Sequence, residues 1–195
     1  VAMFWTSPTA ASPDIYGPKV EIPKSWSAVG FGKVKAYQGS SYAGITVYGC
    51  DKGKPHCREY VQVQLTEPLV PGQRYGYTCM LAHLQKSVMV RNIGLWFSEH
   101  EIEEGAHDPI LKNPILSLDK FLPSDGKWYR WTGQFVAEKS SSFLIIGNFK
   151  TDEDSQVKMP FRGDLRYGYY YLDEVRLFKI PPIIIPPPMD STLAN

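Results

Sequence analysis

The chain has little cysteine, no charge excess and no long apolar run, and each shortage excludes a class of protein. No stretch approaches the roughly 20 apolar residues of a bilayer-spanning helix, so no transmembrane helix is expected. The first 30 residues also lack the charged segment followed by an apolar one that marks a secretory leader. A mature exported chain would have lost such a leader, so the compartment stays open on this ground. With 21 basic against 20 acidic residues the net charge is +1. A phosphate backbone selects concentrated basic surface, and nucleic acid is therefore not an expected partner. No serine sits in a Gly-x-Ser-x-Gly elbow, since Gly39-Ser40-Ser41-Tyr42 lacks the second glycine.

The three cysteines are Cys50, Cys57 and Cys79. Cys50 and Cys57 flank the turn-rich stretch Asp51-Lys52-Gly53-Lys54-Pro55-His56. One reading is a disulfide closing this loop in an oxidising compartment. The other is a metal pair joined by His56, which leaves a tetrahedral zinc site incomplete. Cys79 shares strand parity with Tyr75, Tyr77 and Leu81 and reads as a buried free thiol.

What the chain does have is strand formers and turns: 12 Tyr, 9 Phe and 5 Trp, with 16 Gly and 16 Pro. Residues 1–40 carry Pro8, Pro13, Pro18 and Pro23 at five-residue intervals, which denies the backbone a long regular element and predicts a wrapped, loop-like opening. Strands are predicted at 42–48, 58–66, around Cys79 at 75–84, and at 90–98, 127–137, 142–149 and 169–179. In the second, Val61, Val63 and Leu65 alternate with Tyr60, Gln62 and Gln64, the pattern of a strand with one side in a core. Repeated short strands without helical period predict an all-β, jelly-roll-like sandwich of two antiparallel sheets over residues 1–179. Residues 180–195, with Pro181, Pro182, Pro186, Pro187 and Pro188, read as a semi-rigid linker or tail.

No catalytic constellation stands out, and the chain is not expected to be an enzyme. Glycoside hydrolysis needs two facing carboxylates, for which Glu59 with Asp173 or Glu174 are the candidates. The parity of Glu59 with Val61 and Val63 instead points it toward the core, held by a partner such as an arginine. The acidic run Glu99, Glu101, Glu103, Glu104 and Asp108, with His100 and His107, reads as a solvated loop bearing surface histidines. The residues expected to bind a ligand are the polar and aromatic ones on the non-core parity of the strands: Arg58, Tyr60, Gln62, Gln64, Trp96, Trp128, Arg130 and Gln134. Aromatic rings stack on sugars, and amide and guanidinium groups hold hydroxyls. Tyr, Trp and Arg also anchor protein interfaces. The competing reading is that a sheet or loops cover this side, making Trp96 or Trp128 packing residues.

Ser40-Ser41-Tyr42-Ala43-Gly44-Ile45, Arg58-Glu59-Tyr60-Val61-Gln62, Asn92-Ile93-Gly94-Leu95-Trp96-Phe97-Ser98, Ile146-Gly147-Asn148-Phe149 and Tyr171-Leu172-Asp173-Glu174-Val175 together carry a resemblance. The chain resembles, over about residues 5–178, the β-sandwich module found ahead of OmpA-like peptidoglycan-binding domains in envelope proteins of Bacteroidota. Phe4-Trp5-Thr6-Ser7-Pro8-Thr9 is similar to the middle of that module's first section, which implies that an earlier strand is missing or supplied differently. The module is similar in outline to carbohydrate-binding jelly rolls, whose last strand carries an aspartate serving a structural calcium; Asp173 matches that aspartate and Glu174 replaces its neighbour. The resemblance implies an exported protein of the periplasm or outer-membrane surface, tethered to the outer membrane or peptidoglycan through a further domain. Its partner would be a glycan or, as the alternative, an envelope protein.

Overall fold

Alternating side chains form strands here, and prolines keep the opening segment short. The computed structural model describes residues 4–49, 57–103, 109–161 and 163–181. In chain order the elements are β1 (Trp5–Thr6), β2 (Asp14–Tyr16), α1 (Lys24–Val29), β3 (Tyr42–Tyr48), β4 (Val61–Gln64), β5 (Arg74–His83), β6 (Met89–Val90), β7 (Ile93–Ser98), β8 (Leu116–Ser117), β9 (Trp128–Val136), β10 (Phe143–Asn148), β11 (Val157–Lys158) and β12 (Gly168–Lys179). They assemble into a first sheet of order β1-β4-β10-β7-β8, a second of order β2-β3-β12-β5-β9, and a small β6-β11 pair. All pairings among them are antiparallel. The fold is an all-β sandwich, as the alternation predicts.

The core lies between the two sheets. Ile45 and Val47 of β3, Tyr75, Tyr77, Cys79 and Leu81 of β5, and Trp131 and Phe135 of β9 meet Val61, Ile93, Leu95, Leu144 and Ile146 of the first sheet. Burial of each such side chain contributes about 1.5–3 kcal/mol. Cys79 is a free thiol with no exposed surface, and burial pushes its pKa up to about 12.

The differences from expectation have local causes. The predicted 90–98 strand is broken at Arg91 and Asn92, where the Asn92 Oδ1 accepts the Gln156 N–H at 2.6 Å. The 58–66 strand shortens to β4, because Arg58 and Glu59 are drawn into side-chain bonds described below. The opening segment is not only loop: β1 and β2 are edge strands of opposite sheets, paired with β4 and β3. Helix α1 starts at Pro23, whose carbonyl accepts from Trp26 and Ser27, and ends at Gly30 with φ 112°. Among the described residues no helix is long and apolar enough to cross a membrane.

Each sheet also has an outer side, and each is partly covered by chain. On the first sheet, Tyr60 and Ile145 are buried beneath Ile110, Phe149 and the partly buried Trp96, Ile102 and Phe143. On the second, residues 22–36 lie over Tyr16, Tyr42, Tyr169 and Tyr171. The Tyr169-Tyr170-Tyr171 run thus splits between two clusters. Tyr170 points into the main core, where its hydroxyl bonds both the N–H and the carbonyl of Val90 at 2.8 and 2.9 Å.

Candidate functional site

The second sheet's outer side is open beyond the segment 22–36, and strand parity decides what it displays. On β9, Trp131 and Phe135 point into the core, so Trp128, Arg130, Thr132, Gln134 and Val136 project outward. On β5 the outward set is Arg74, Gly76, Thr78 and Met80, in register with Val136, Gln134, Thr132 and Arg130.

Strand β12 joins them only because of a bulge between Asp173 and Arg176, where Glu174 takes φ 51°. An extra residue in one strand reverses the in–out alternation beyond it. Tyr169 and Tyr171 face outward before the bulge. After it Val175 and Leu177 pack on the core, while Arg176 and Phe178 face outward opposite Thr78 and Gly76. Strict alternation would have turned Phe178 inward, so nothing in the residue pattern marks it as a surface ring. Gly76 completes the arrangement: a Cβ there would stand 2.5 Å from the Phe178 ring, which lies over the bare backbone.

Asp173 holds the other end of this surface. Its Oδ1 accepts the Glu174 N–H at 2.8 Å, and its Oδ2 accepts the N–H groups of Tyr37 and Gln38 at 2.8 and 3.2 Å. These bonds pin the loop before β3 and place the Tyr37 ring, 46% exposed, edge-on to Trp128. The Trp128 indole donates to the Lys35 carbonyl at 2.8 Å and also meets Tyr42 edge-on. The surface therefore runs from Tyr37 and Trp128 to Phe178, itself 49% exposed. Trp128 is level with Ala82 and Phe178 with Gly76, a span of roughly 20 Å at the usual strand rise. Between the rings lie Arg130, Thr132, Gln134 and Thr78, none of whose side chains has a hydrogen-bond or ion-pair partner among the described residues. A hollow of about 260 Å³ sits there, bordered by Thr78, Thr132, Gln134 and Phe178.

The expected binding residues are thus divided. Trp128, Arg130 and Gln134 lie together on this surface. Gln62, Gln64 and Trp96 belong to the first sheet, and Arg58 and Tyr60 to the segment leading into it, because parity separates core from non-core but does not say to which sheet a strand belongs. Three of them are corrected outright, being buried and engaged internally. Arg58, 3% exposed, donates from Nη1 to the carbonyls of Asn148 and Lys150 and pairs through Nη2 with Asp152. The same Asp152 accepts the Gly49 N–H, so it ties both ends of the segment between Gly49 and Arg58. Tyr60 donates to the Asn148 carbonyl and accepts the Ile110 N–H. Gln62 bonds both the N–H and the carbonyl of Ile102. Ile102 and Ile110 cover this side. Gln64 is exposed at its margin, and Trp96 is half-buried against Phe149 with the Lys112 ammonium 5.3 Å from its ring centre.

A calcium ion at Asp173 does not fit. Both carboxylate oxygens face N–H donors, where a cation would meet positive ends of dipoles, and no group of three or more His, Cys, Asp or Glu that could hold a metal occurs among the described residues. Among the described residues Glu59 has no arginine partner of the kind expected. Its carboxylate accepts the Thr46 N–H at 2.6 Å, and burial raises its pKa to about 8. It is not among the residues lining the large cleft that Asp173 and Glu174 border. That cleft, about 830 Å³, opens beside β1 and β2 and is walled by Trp5, Ile15, Val61 and Leu172. Its acids are already engaged: Asp14 by the Tyr169 hydroxyl, Asp173 by three N–H groups and Glu174 by Arg176. It is larger than the hollow on the second sheet and has polar groups of its own in Ser12, Lys19, Ser40 and Ser41, but its aromatic rings, Trp5 and Tyr42, are not exposed. His100 is exposed, as expected. Cys57 is disulfide-bonded; Cys50, His56, Glu104, His107, Asp108 and the proline-rich segment from Pro182 lie outside the described residues.

The sequence matches no family model, and no curated protein matches it. Solved structures do match. The CBM22-1 xylan-binding domain of Xyn10C from Paenibacillus barcinonensis superposes with a TM-score of 0.51 at 12% identity, over 92% of this chain and 87% of that one. The CBM22-1-CBM22-2 tandem of the same protein gives 0.50 at 12% identity, covering 92% of this chain and 43% of the tandem. The N-terminal cellulose-binding domain of β-1,4-glucanase C from Cellulomonas fimi is a looser likeness, 0.44 at 11% identity over 88% and 91%. At such identities the likeness is one of fold: the chain has the β-sandwich of carbohydrate-binding modules.

Proposed function

We propose that this chain is a non-catalytic glycan-binding module whose site is the open surface of β12, β5 and β9. The observation that carries the reading is the row between two aromatic ends, Tyr37 with Trp128 and Phe178, with exposed Arg130, Thr132 and Gln134 between them that have no side-chain partner among the described residues. Sugars present apolar ring sides and hydroxyl edges, so spaced rings with free amide, hydroxyl and guanidinium groups match them. A long trough without a deep pocket suits a chain of several sugar residues. The sandwich shared with a xylan-binding domain supports the reading at the level of fold.

An exported, envelope-associated setting belongs to the same proposal. It is supported by the disulfide at Cys57, since such bonds persist in oxidising compartments, and by the proline-rich run from Ile180, suited to spacing this domain from a surface or a further domain.

The test is a polysaccharide and glycan-array screen, xylan and envelope polysaccharides included, with Phe178→Ala, Gln134→Ala and Trp96→Ala as variants. Binding lost in the first two and kept in Trp96→Ala supports the site. Silence across all sugars refutes the reading and turns the search to a protein partner for the same surface.

A further inference from the structure

The open surface carries an outward arginine on each of its three strands. Over the full sequence basic and acidic residues nearly cancel, at 21 and 20. On this surface three arginines project outward: Arg130 of β9, Arg74 of β5 and Arg176 of β12. The carboxylates within β5, β9 and β12 are Asp173 and Glu174, and both are engaged; Glu138 stands exposed just past the end of β9. Asp173 accepts three backbone N–H groups, and Glu174 is bound by Arg176. Arg130 and Arg74 are exposed and have no acidic partner among the described residues.

A single exposed arginine is ordinary and solvated. What distinguishes Arg130 is its place, in the row between Trp128 and the hollow formed by Thr132, Gln134 and Phe178. A sugar chain lying between the aromatic ends passes over its guanidinium. That group offers a planar fork of donors, which matches a carboxylate in two parallel hydrogen bonds and matches a hydroxyl much less well. A neutral glycan would leave this fork, and that of Arg74 one end of the trough away, without a matching acceptor.

We infer that the glycan bound by this surface bears carboxylates, as in a polysaccharide containing uronic acid residues, with Arg130 the residue that reads them and Arg74 adding attraction. The inference rests on the glycan reading above and specifies its ligand.

The experiment is calorimetric titration of the protein with polygalacturonate, with the same polymer after reduction of its carboxyl groups, and with dextran sulfate, for wild type, Arg130→Gln and Arg130→Lys. Polygalacturonate is expected to bind, the carboxyl-reduced polymer about tenfold or more weakly, and Arg130→Gln to lose a similar factor for polygalacturonate alone. Arg130→Lys keeps the charge but not the fork and should recover only part of the loss. Melting temperatures should match in all three proteins, because the exposed Arg130 side chain makes no hydrogen bond or ion pair among the described residues. Equal binding of the native and reduced polymers overturns the inference while leaving a neutral-glycan module standing. Equal or tighter binding of dextran sulfate overturns it in favour of unspecific charge attraction. Absence of binding to these polymers and to every glycan of the array overturns both readings together.

Discussion

Replacing Glu59 with Gln should stabilise the protein, and by an amount that grows with pH. In the folded chain this carboxyl is held at about 8 by burial, partly offset by the hydrogen bond from Thr46 N–H, against an ordinary value of 4.5. Between those two values the unfolded chain has released a proton that the folded chain keeps, so stability falls as pH rises. The Glu59 contribution is therefore harmless below about pH 4.5 and worsens by roughly 1.4 kcal/mol per pH unit. It levels off above about pH 8, at a cost on the order of 5 kcal/mol. Glutamine keeps an oxygen for the Thr46 N–H and cannot ionise. The assay is urea unfolding of wild type and Glu59→Gln at pH 5, 6.5 and 8, with the disulfide intact. Using the difference between the two proteins matters, because His83 slopes the other way. Burial lowers its pKa from 6.5 to about 4, so stability is lost as pH falls between those values. That effect is common to both proteins and cancels. A constant difference from pH 5 to pH 8 would refute the reasoning and show that Glu59 is ionised in the fold.

Tyr60→Ala should cost about 3–5 kcal/mol and leave any glycan affinity of the folded fraction unchanged, since the ring is fully buried beneath Ile110 and Phe149; a variant that stays stable but loses binding would contradict this. Arg58→Ala should lower stability by about 3 kcal/mol in urea unfolding under non-reducing conditions, because it strips Asp152 of its cation and two carbonyls of their donor. Asp173→Ala should cost about 1–3 kcal/mol by stranding the N–H groups of Glu174, Tyr37 and Gln38, and should weaken glycan binding through the loss of the Tyr37 position. Chelation of calcium should leave the melting temperature of the wild type unchanged; a drop of several degrees would restore a metal to this region.

The strands that could be read in advance were those with clean alternation. The predicted 42–48 segment is β3 to the residue, and 127–137 exceeds β9 by one residue at each end. Edge strands β1 and β2 escaped because two or three residues among prolines carry no period, and their pairing is supplied by β4 and β3. At the candidate site, Trp128, Arg130 and Gln134 were legible from parity on one strand. Tyr37 was not, since nothing local says that Asp173, distant in sequence, will anchor its loop. Phe178 was hidden by the bulge at Glu174, which swaps the two sides of β12 without a glycine to announce it.

What the residues determine by themselves is the period-2 pattern, the turns and hence an all-β sandwich, together with a buried Cys79. These follow from local backbone geometry and from the gain of moving alternate side chains out of water. Which non-core surface stays open was decided only by tertiary structure. Tyr60 and Gln62 carry the same outward parity as Arg130 and Gln134, yet the former pair lies under Ile102 and Ile110 while the latter faces solvent. Alternation tells each side chain which way to point relative to its own sheet. Whether water or another stretch of chain waits there depends on contacts between residues far apart in sequence, which no local pattern encodes.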